Sequence, residues 1–245
     1  MKNTLDLSII IPIFNEEDSI PIMCLSLKKT IEELNKPYEI IFVDDGSNDK
    51  SVIRIKELVN SFPEVVLVPL KKHEGKSVAL QAGFDHAKGN IIITIDGDLE
   101  YDTSDIPLLL EKLETGFDIA IGWRKYRKDK LIKRLASLVG NTTRKLITGD
   151  QFHDAGCNLM AIRKYVIRNI CLKRGLHRFF STIGTKLGYK ICEVPVKHSK
   201  RKFGRSKYGI LDRLFEGIFD LISICLFDLR SFLEEKPVYE IKRTI

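Results

Sequence analysis

The chain has 245 residues, 44% of them hydrophobic and 30% charged, with a formal net charge of +7. This excludes a disordered polypeptide and fits one α/β domain of about 200 residues with an appendage. Five scattered cysteines without a C-x-x-C pair argue against a disulfide framework and a zinc site and point to a reducing compartment. No apolar run reaches the ~18–20 residues of a membrane span, and Met1–Asp6 has no signal-peptide pattern. The positive charge fits an anionic partner, whether nucleotide, nucleic acid or membrane, without choosing among them.

Leu7 to Phe14 reads as a buried strand, with Asn15 as a helix cap, Glu16 to Asp18 in a first helical turn, and Ile20, Met23, Cys24, Leu27, Ile31 and Leu34 at helical spacing. The unit repeats: strand Tyr38–Val43 and a helix over 48–62, then strand Val65–Pro69 and a helix over 76–87. A fourth strand from Ile91, a helix over 104–114 and a strand Phe117–Ile121 follow. Such alternation predicts a mostly parallel sheet covered by helices on both faces. Beyond Gly122 the alternation fails. A basic stretch leads into a predicted helix to Ile147, a loop around 149–156, a short apolar segment Asn158–Ile162, a helix over 179–187 and a strand Lys190–Val196. The most basic stretch, KHSKRKFGRSKYG, then precedes an amphipathic helix over 210–229.

The chemistry concentrates at strand ends. The run Ile91–Ile95 delivers Asp96, Asp98 and Glu100 to its carboxyl end, the side of an open α/β sheet where ligands collect. Crowded carboxylates repel one another, and a hard divalent cation, Mg²⁺ or Mn²⁺, relieves this; an ordinary Asp-Gly turn is the competing reading. The first strand ends in Pro12, Phe14, Asn15 and Glu16, and the second in Asp44, Asp45, Gly46 and Ser47, where a carboxylate can accept bonds from a ribose or base. A receiver-type signalling domain shares such acids, yet this chain is roughly twice that length. A nucleic-acid-binding basic loop would need more aromatic interleaving than Phe203 and Tyr208 supply.

The segments IIIPIFNEE, FVDDGSND, GKSVALQAGFDHAKG, TIDGDLE, GWRKYRKD, DAGCNLMAIR, LHRFF and EVPVKHSKRKFGRSKYG, in this order, make the chain similar to GT-A fold glycosyltransferases of the large inverting family 2. They resemble most the dolichyl-phosphate mannosyltransferase and polyprenyl-phosphate glycosyltransferase branch. Departures are Glu100 where Gln is usual, Lys72-His73 where Arg-Asn is frequent, and Gly97 where Ala is frequent.

The resemblance implies a GT-A (Rossmann-like) domain over 1–208 and an amphipathic helical tail over 209–245. It places Pro12, Asn15, Glu16, Asp44, Asp45, Lys76, Asp96, Arg124 and Arg127 around the donor, and Asp96, Asp98 and Glu100 on the metal. Asp98 and Asp154 fall at the reacting centre, and Arg178, Arg201, Ser206 and Lys207 at an acceptor phosphate. His198 belongs to the same motif and is read as a structural residue holding the loop. The implied reaction moves a hexose from a nucleotide-diphosphate sugar, GDP-mannose or UDP-glucose before UDP-N-acetylglucosamine, to a polyprenyl phosphate with inversion. A phosphate oxygen arrives ionised, so cations replace a general base; a neutral sugar acceptor, the alternative, would need one, with Asp154 as candidate. The expected location is the cytoplasmic face of a membrane, reached through the 210–229 helix or an anchoring subunit, with no nucleic-acid partner.

Overall fold

The computed structural model describes residues 5–125, 142, 145, 148–173, 175–203 and 237–245. The alternation of the first half is realised as β1 (Leu7–Ile13), α1 (Ile20–Glu32), β2 (Tyr38–Asp44), α2 (Ser51–Ser61), β3 (Val65–Pro69), α3 (Lys76–His86) and β4 (Ile91–Thr94). A short 3₁₀ turn at Thr103–Asp105, α4 (Ile106–Glu114) and β5 (Ile119–Trp123) complete it. Then come β6 (Met160–Arg163), α5 (Lys164–Asn169), a 3₁₀ turn at Leu176–Phe179, α6 (Phe180–Lys186) and β7 (Ile191–Pro195).

The seven strands form one sheet in the order β3-β2-β1-β4-β6-β5-β7. Parallel pairing joins β3, β2, β1 and β4 and also β5 with β7, while β6 runs antiparallel between β4 and β5. Consecutive residues of β1 and β2 are buried, which requires helices on both faces and explains their mostly apolar sequences; the buried Ser8 and Glu39 hydrogen-bond to each other. Ser26 and Thr30 of α1 hydrogen-bond to Thr103 ahead of α4, and Lys36 beyond α1 pairs with Glu114 at the end of α4. α3 lies close on β1: a Cβ at Gly83 would stand 2.3 Å from Ile10 Cγ2.

Several boundaries differ from expectation for physical reasons. Asn15 is not a helix cap; it adopts a left-handed φ of 55°, and its Oδ1 accepts the Asn48 backbone N–H, while α1 begins five residues later behind Ser19 with Pro21 in its first turn. The second helix begins at Ser51 because Asp49 holds the Ser51 and Glu17 backbone N–H groups and keeps the preceding loop in place. The fifth strand extends to Trp123, so Arg124 stands just beyond the end of the sheet.

The last described residues, 237–245, return to the sheet. Lys71, Lys242 and Ile245 exchange backbone bonds across this segment and β3, closing the β3 edge. The predicted helices ending at Ile147 and spanning 210–229 lie outside the described residues. Among the described residues, no helix is long and apolar enough to cross a membrane.

Candidate active site

The loops after β1 and β2 are laced together at the carboxyl ends of their strands. Asn15 N–H donates to Ser47 Oγ at 2.9 Å and Glu16 N–H to Ser51 Oγ at 2.9 Å. Pro12, in register with Val43, precedes this crossing. Asp44 accepts the Ser47 backbone N–H, and Asp45 accepts those of Glu74 at 2.8 Å and Gly75 at 3.0 Å. Both carboxylates are buried, and burial raises both above the usual carboxylate range against the pull of these bonds. Asp45 also pairs with His73, whose ring stacks on Phe14 with centroids 4.0 Å apart. These contacts fix the loops after β1 and β2 against residues 73–75. Gly46 makes the sharp turn possible: its φ is +70°, and a Cβ there would meet Lys72 C and His73 N at 2.6 Å.

The three acids beyond β4 occupy distinct environments. Asp96 is ion-paired through one oxygen with Lys76, the first residue of α3, and accepts from Asn158 Nδ2 at 3.1 Å through the other. Asp98 accepts the Glu100 backbone N–H at 3.2 Å. Burial, then repulsion by Asp96 and Glu100, pushes the Asp98 carboxyl up to about 7. Leu99 between them takes a φ of 61°, costly for an aliphatic residue, so the loop is held in an uncommon conformation. Among the described residues no three His, Cys, Asp or Glu side chains already converge as a finished metal centre. The donor set nevertheless fits a hard dication: all ligands are oxygen, and the repulsion that, after burial, raises Asp98 comes from Asp96 and Glu100, charge that such an ion would neutralise.

The basic segment begins directly on this acid loop. Ser199 N–H donates to Glu100 O at 2.8 Å, and Tyr101 bridges His198 across a short antiparallel contact. The buried His198 lies 3.4 Å from Glu100 Oε2 through Nε2 and sets its ring edge-on to Tyr101, which agrees with a loop-holding role. Arg201 donates to Phe203 O at 2.8 Å, is ion-paired with Glu16, and is drawn electrostatically to Asp98 and Glu100. The structure thus brings Glu16 from the expected donor side and Arg201 from the expected acceptor side into contact. Arg178 stands on the 3₁₀ turn next to His177.

Arg124 and Asp154 form a third feature. Arg124 Nε and Nη2 donate to the two Asp154 oxygens at 2.6 and 2.7 Å, and its backbone N–H adds a bond at 3.2 Å. The side chains are only 11% and 5% exposed, so this is a buried bidentate pair. Glu193 of β7 accepts the backbone N–H groups of His153 and Asp154 at 2.8 and 3.0 Å and fixes the loop. Arg127, Ser206 and Lys207 lie outside the described residues.

Sequence reasoning did not single out Asn158, Tyr101 or Glu193. Asn158 lies within DAGCNLMAIR, Glu193 opens EVPVKHSKRKFGRSKYG and Tyr101 directly follows TIDGDLE, and only the antiparallel insertion of β6 carries Asn158 to Asp96.

The fold and the polar strand ends define an α/β transferase of GT-A type. The same architecture is found in glucosyl-3-phosphoglycerate synthase from Mycobacterium tuberculosis. Its complex with Mn²⁺, UDP and glucosyl-3-phosphoglycerate superposes with a TM-score of 0.68 at 19% identity, covering 98% of this chain and 88% of that one. Residues 8–171 match the model of Glycosyl transferase family 2, and the chain belongs to that family. It is 37% identical over 229 residues to dodecaprenyl-phosphate galacturonate synthase of Rhizobium johnstonii, covering 91% of this chain and 68% of the relative. It is 34% identical over 223 residues to undecaprenyl-phosphate 4-deoxy-4-formamido-L-arabinose transferase of Pectobacterium atrosepticum, covering 90% and 67%. The chain is a glycosyltransferase.

Proposed function

We propose that this glycosyltransferase moves a sugar from a nucleotide-diphosphate sugar to a polyprenyl phosphate in one inverting displacement. The observation that carries the acceptor assignment is the buried Arg124–Asp154 pair. A carboxylate held on both oxygens by a guanidinium is a poor proton acceptor, and Asp154 was the one candidate base for a neutral hydroxyl. An acceptor already ionised at neutral pH removes the need for that base. Cations are then required, and Arg178 and Arg201, with Lys207 and Ser206 further along the segment, are assigned to the acceptor phosphate. The prenyl-phosphate chemistry in the names of the two relatives supports the same reading.

On the donor side, Pro12, Asn15, Glu16, Asp44 and Asp45 are assigned to the nucleoside, and Lys76, Arg124 and Arg127 to the phosphate side. Asp96, Asp98 and Glu100 would hold Mg²⁺ or Mn²⁺, which when bound supplies positive charge to the departing diphosphate. Lys76, already on Asp96, balances part of the same charge. Asp154 acts here by orienting Arg124. The names of the two relatives support widening the candidate sugars beyond mannose and glucose to galacturonate and a formamido-arabinose. The lipid acceptor supports work at a membrane; we assign it to the cytoplasmic face, with the 210–229 segment or an anchoring subunit making contact.

Incubation with Mn²⁺, polyprenyl phosphate and a panel of labelled GDP- and UDP-sugars, including UDP-galacturonate, tests this. Label entering the organic phase with one donor supports the assignment; label transferred only to a water-soluble sugar favours the alternative acceptor.

A further inference from the structure

The segment between α5 and α6 is strapped along α3. Gln81 Oε1 accepts the Leu172 backbone N–H at 2.8 Å. One turn earlier, Ser77 Oγ accepts the His177 backbone N–H at 3.3 Å and lies 2.7 Å from the His177 ring Nδ1. Ser77 and Gln81 are four apart on one stripe of the helix and are 2% and 1% exposed. The turn that carries Arg178 is thereby held against the first turn of α3, where Lys76 pairs with Asp96. One side-chain contact joins the neighbouring residues Lys76–Ser77 on the donor side to His177–Arg178 on the other.

The contact ties the ring to the helix in either tautomer: Ser77 Oγ donates to a bare Nδ1, or accepts Nδ1–H on the lone pair that the His177 backbone N–H leaves open. Burial, with Lys76 from α3 and Arg178 from its own turn, holds the imidazole well below its usual range. A charged ring would be a third cation between those two.

We propose that His177 is a positioning residue for the acceptor phosphate: through its Nδ1 contact with Ser77 it fixes the placement of Arg178 relative to Lys76. The assignment rests on the proposed function, in which Arg178 faces that phosphate. In-line displacement between an incoming phosphate and a departing diphosphate depends on the relative placement of their cations, and small displacements of such groups cost rate.

The test compares wild type with His177→Ala, His177→Asn, Ser77→Ala and the double alanine variant. Steady-state kinetics in polyprenyl phosphate are measured beside calorimetric binding of nucleoside diphosphate with Mn²⁺. Asn offers an oxygen near the position of Nδ1 and can still accept the Ser77 hydroxyl. His177→Ala and Ser77→Ala should each raise the acceptor KM about tenfold, without adding in the double variant, while diphosphate Kd stays within about twofold. His177→Asn should recover most of the loss. An unchanged acceptor KM in His177→Ala, an Asn variant no better than Ala, or a diphosphate Kd that moves in step with KM overturns the proposal. Imidazole ¹⁵N spectra of wild type give a reading independent of variant folding. They should show a neutral ring at about pH 7 with Nδ1 hydrogen-bonded; a charged ring, or an Nδ1 without a hydrogen bond, overturns the proposal. If wild type glycosylates no polyprenyl phosphate with any donor, the functional reading falls and this role with it. A working wild type with unaltered variants removes the positioning role alone.

Discussion

Arg201, at the start of the basic segment, is ion-paired with Glu16 at the carboxyl end of β1, a contact that spans 185 positions of sequence. Its guanidinium is also drawn to Asp98 and Glu100, so one cation is shared between the loop after β1 and the acid loop. Arg201→Ala should raise the acceptor KM or lower kcat by about tenfold or more, because an ionised phosphate loses a charge partner in a site closed to water. Donor affinity without acceptor should change less than the acceptor KM, because Glu16 loses its ion partner but the donor keeps its other contacts. Arg201→Lys should recover only part, since a point charge does not replace a planar fork. Initial-rate kinetics with calorimetric donor binding check both.

The raised Asp98 carboxyl predicts a pH signature in metal-free protein. Its folded pKa, about 7, lies above the unfolded value of about 3.9. Its contribution to stability is therefore fully present below pH ~3.9 and is lost as pH rises through about 7. Asp98→Asn removes that loss. In EDTA the Tm of the variant should exceed that of wild type by a few degrees at pH 8, with the gap shrinking toward pH 5. Mn²⁺ should close the gap at pH 8 by stabilising wild type, and the variant should have lost most activity. Melting curves across this pH range provide the check.

The Arg124–Asp154 pair should matter for folding as well as turnover. Removing one partner leaves a buried charge without compensation, so Arg124→Ala should cost about 3–5 kcal/mol in denaturant unfolding. The double variant Arg124→Met/Asp154→Leu should regain much of that stability yet stay inactive. If Asp154 serves to orient Arg124, as proposed, Asp154→Asn should leave the acidic limb of the pH–rate profile in place.

Gly46→Ala should weaken donor binding while leaving the fold intact. The added Cβ meets the backbone of Lys72 and His73, atoms that cannot swing aside, and forces away the loop whose Glu74 and Gly75 hold Asp45. Calorimetry with the nucleoside diphosphate should show at least a severalfold higher Kd, with far-ultraviolet circular dichroism unchanged.

The parallel half of the sheet was legible because Leu7–Ile11, Ile40–Val43 and Ile91–Ile95 are mostly apolar runs that only a doubly covered strand explains. The acids at 96, 98 and 100 were legible for the same reason, as polar residues abruptly ending such a run. What local pattern does not encode is long-range pairing. Met160–Arg163 inserts antiparallel between β4 and β5, and residues 237–245 cover the β3 edge, though neither segment announces its neighbour. The partners Lys76–Asp96, Glu16–Arg201 and Arg124–Asp154 likewise depend on tertiary placement, so candidate residues were nameable while their pairing was not.

The central claim, that an ionised lipid phosphate takes the place of a general base, is tested most directly by supplying polyprenyl phosphate and the neutral polyprenol of equal chain length with the same labelled donor and Mn²⁺. The account predicts organic-phase product from the phosphate alone, with the sugar's anomeric configuration inverted in the NMR spectrum. Comparable glycosylation of the neutral alcohol, or a product of retained configuration, would contradict it.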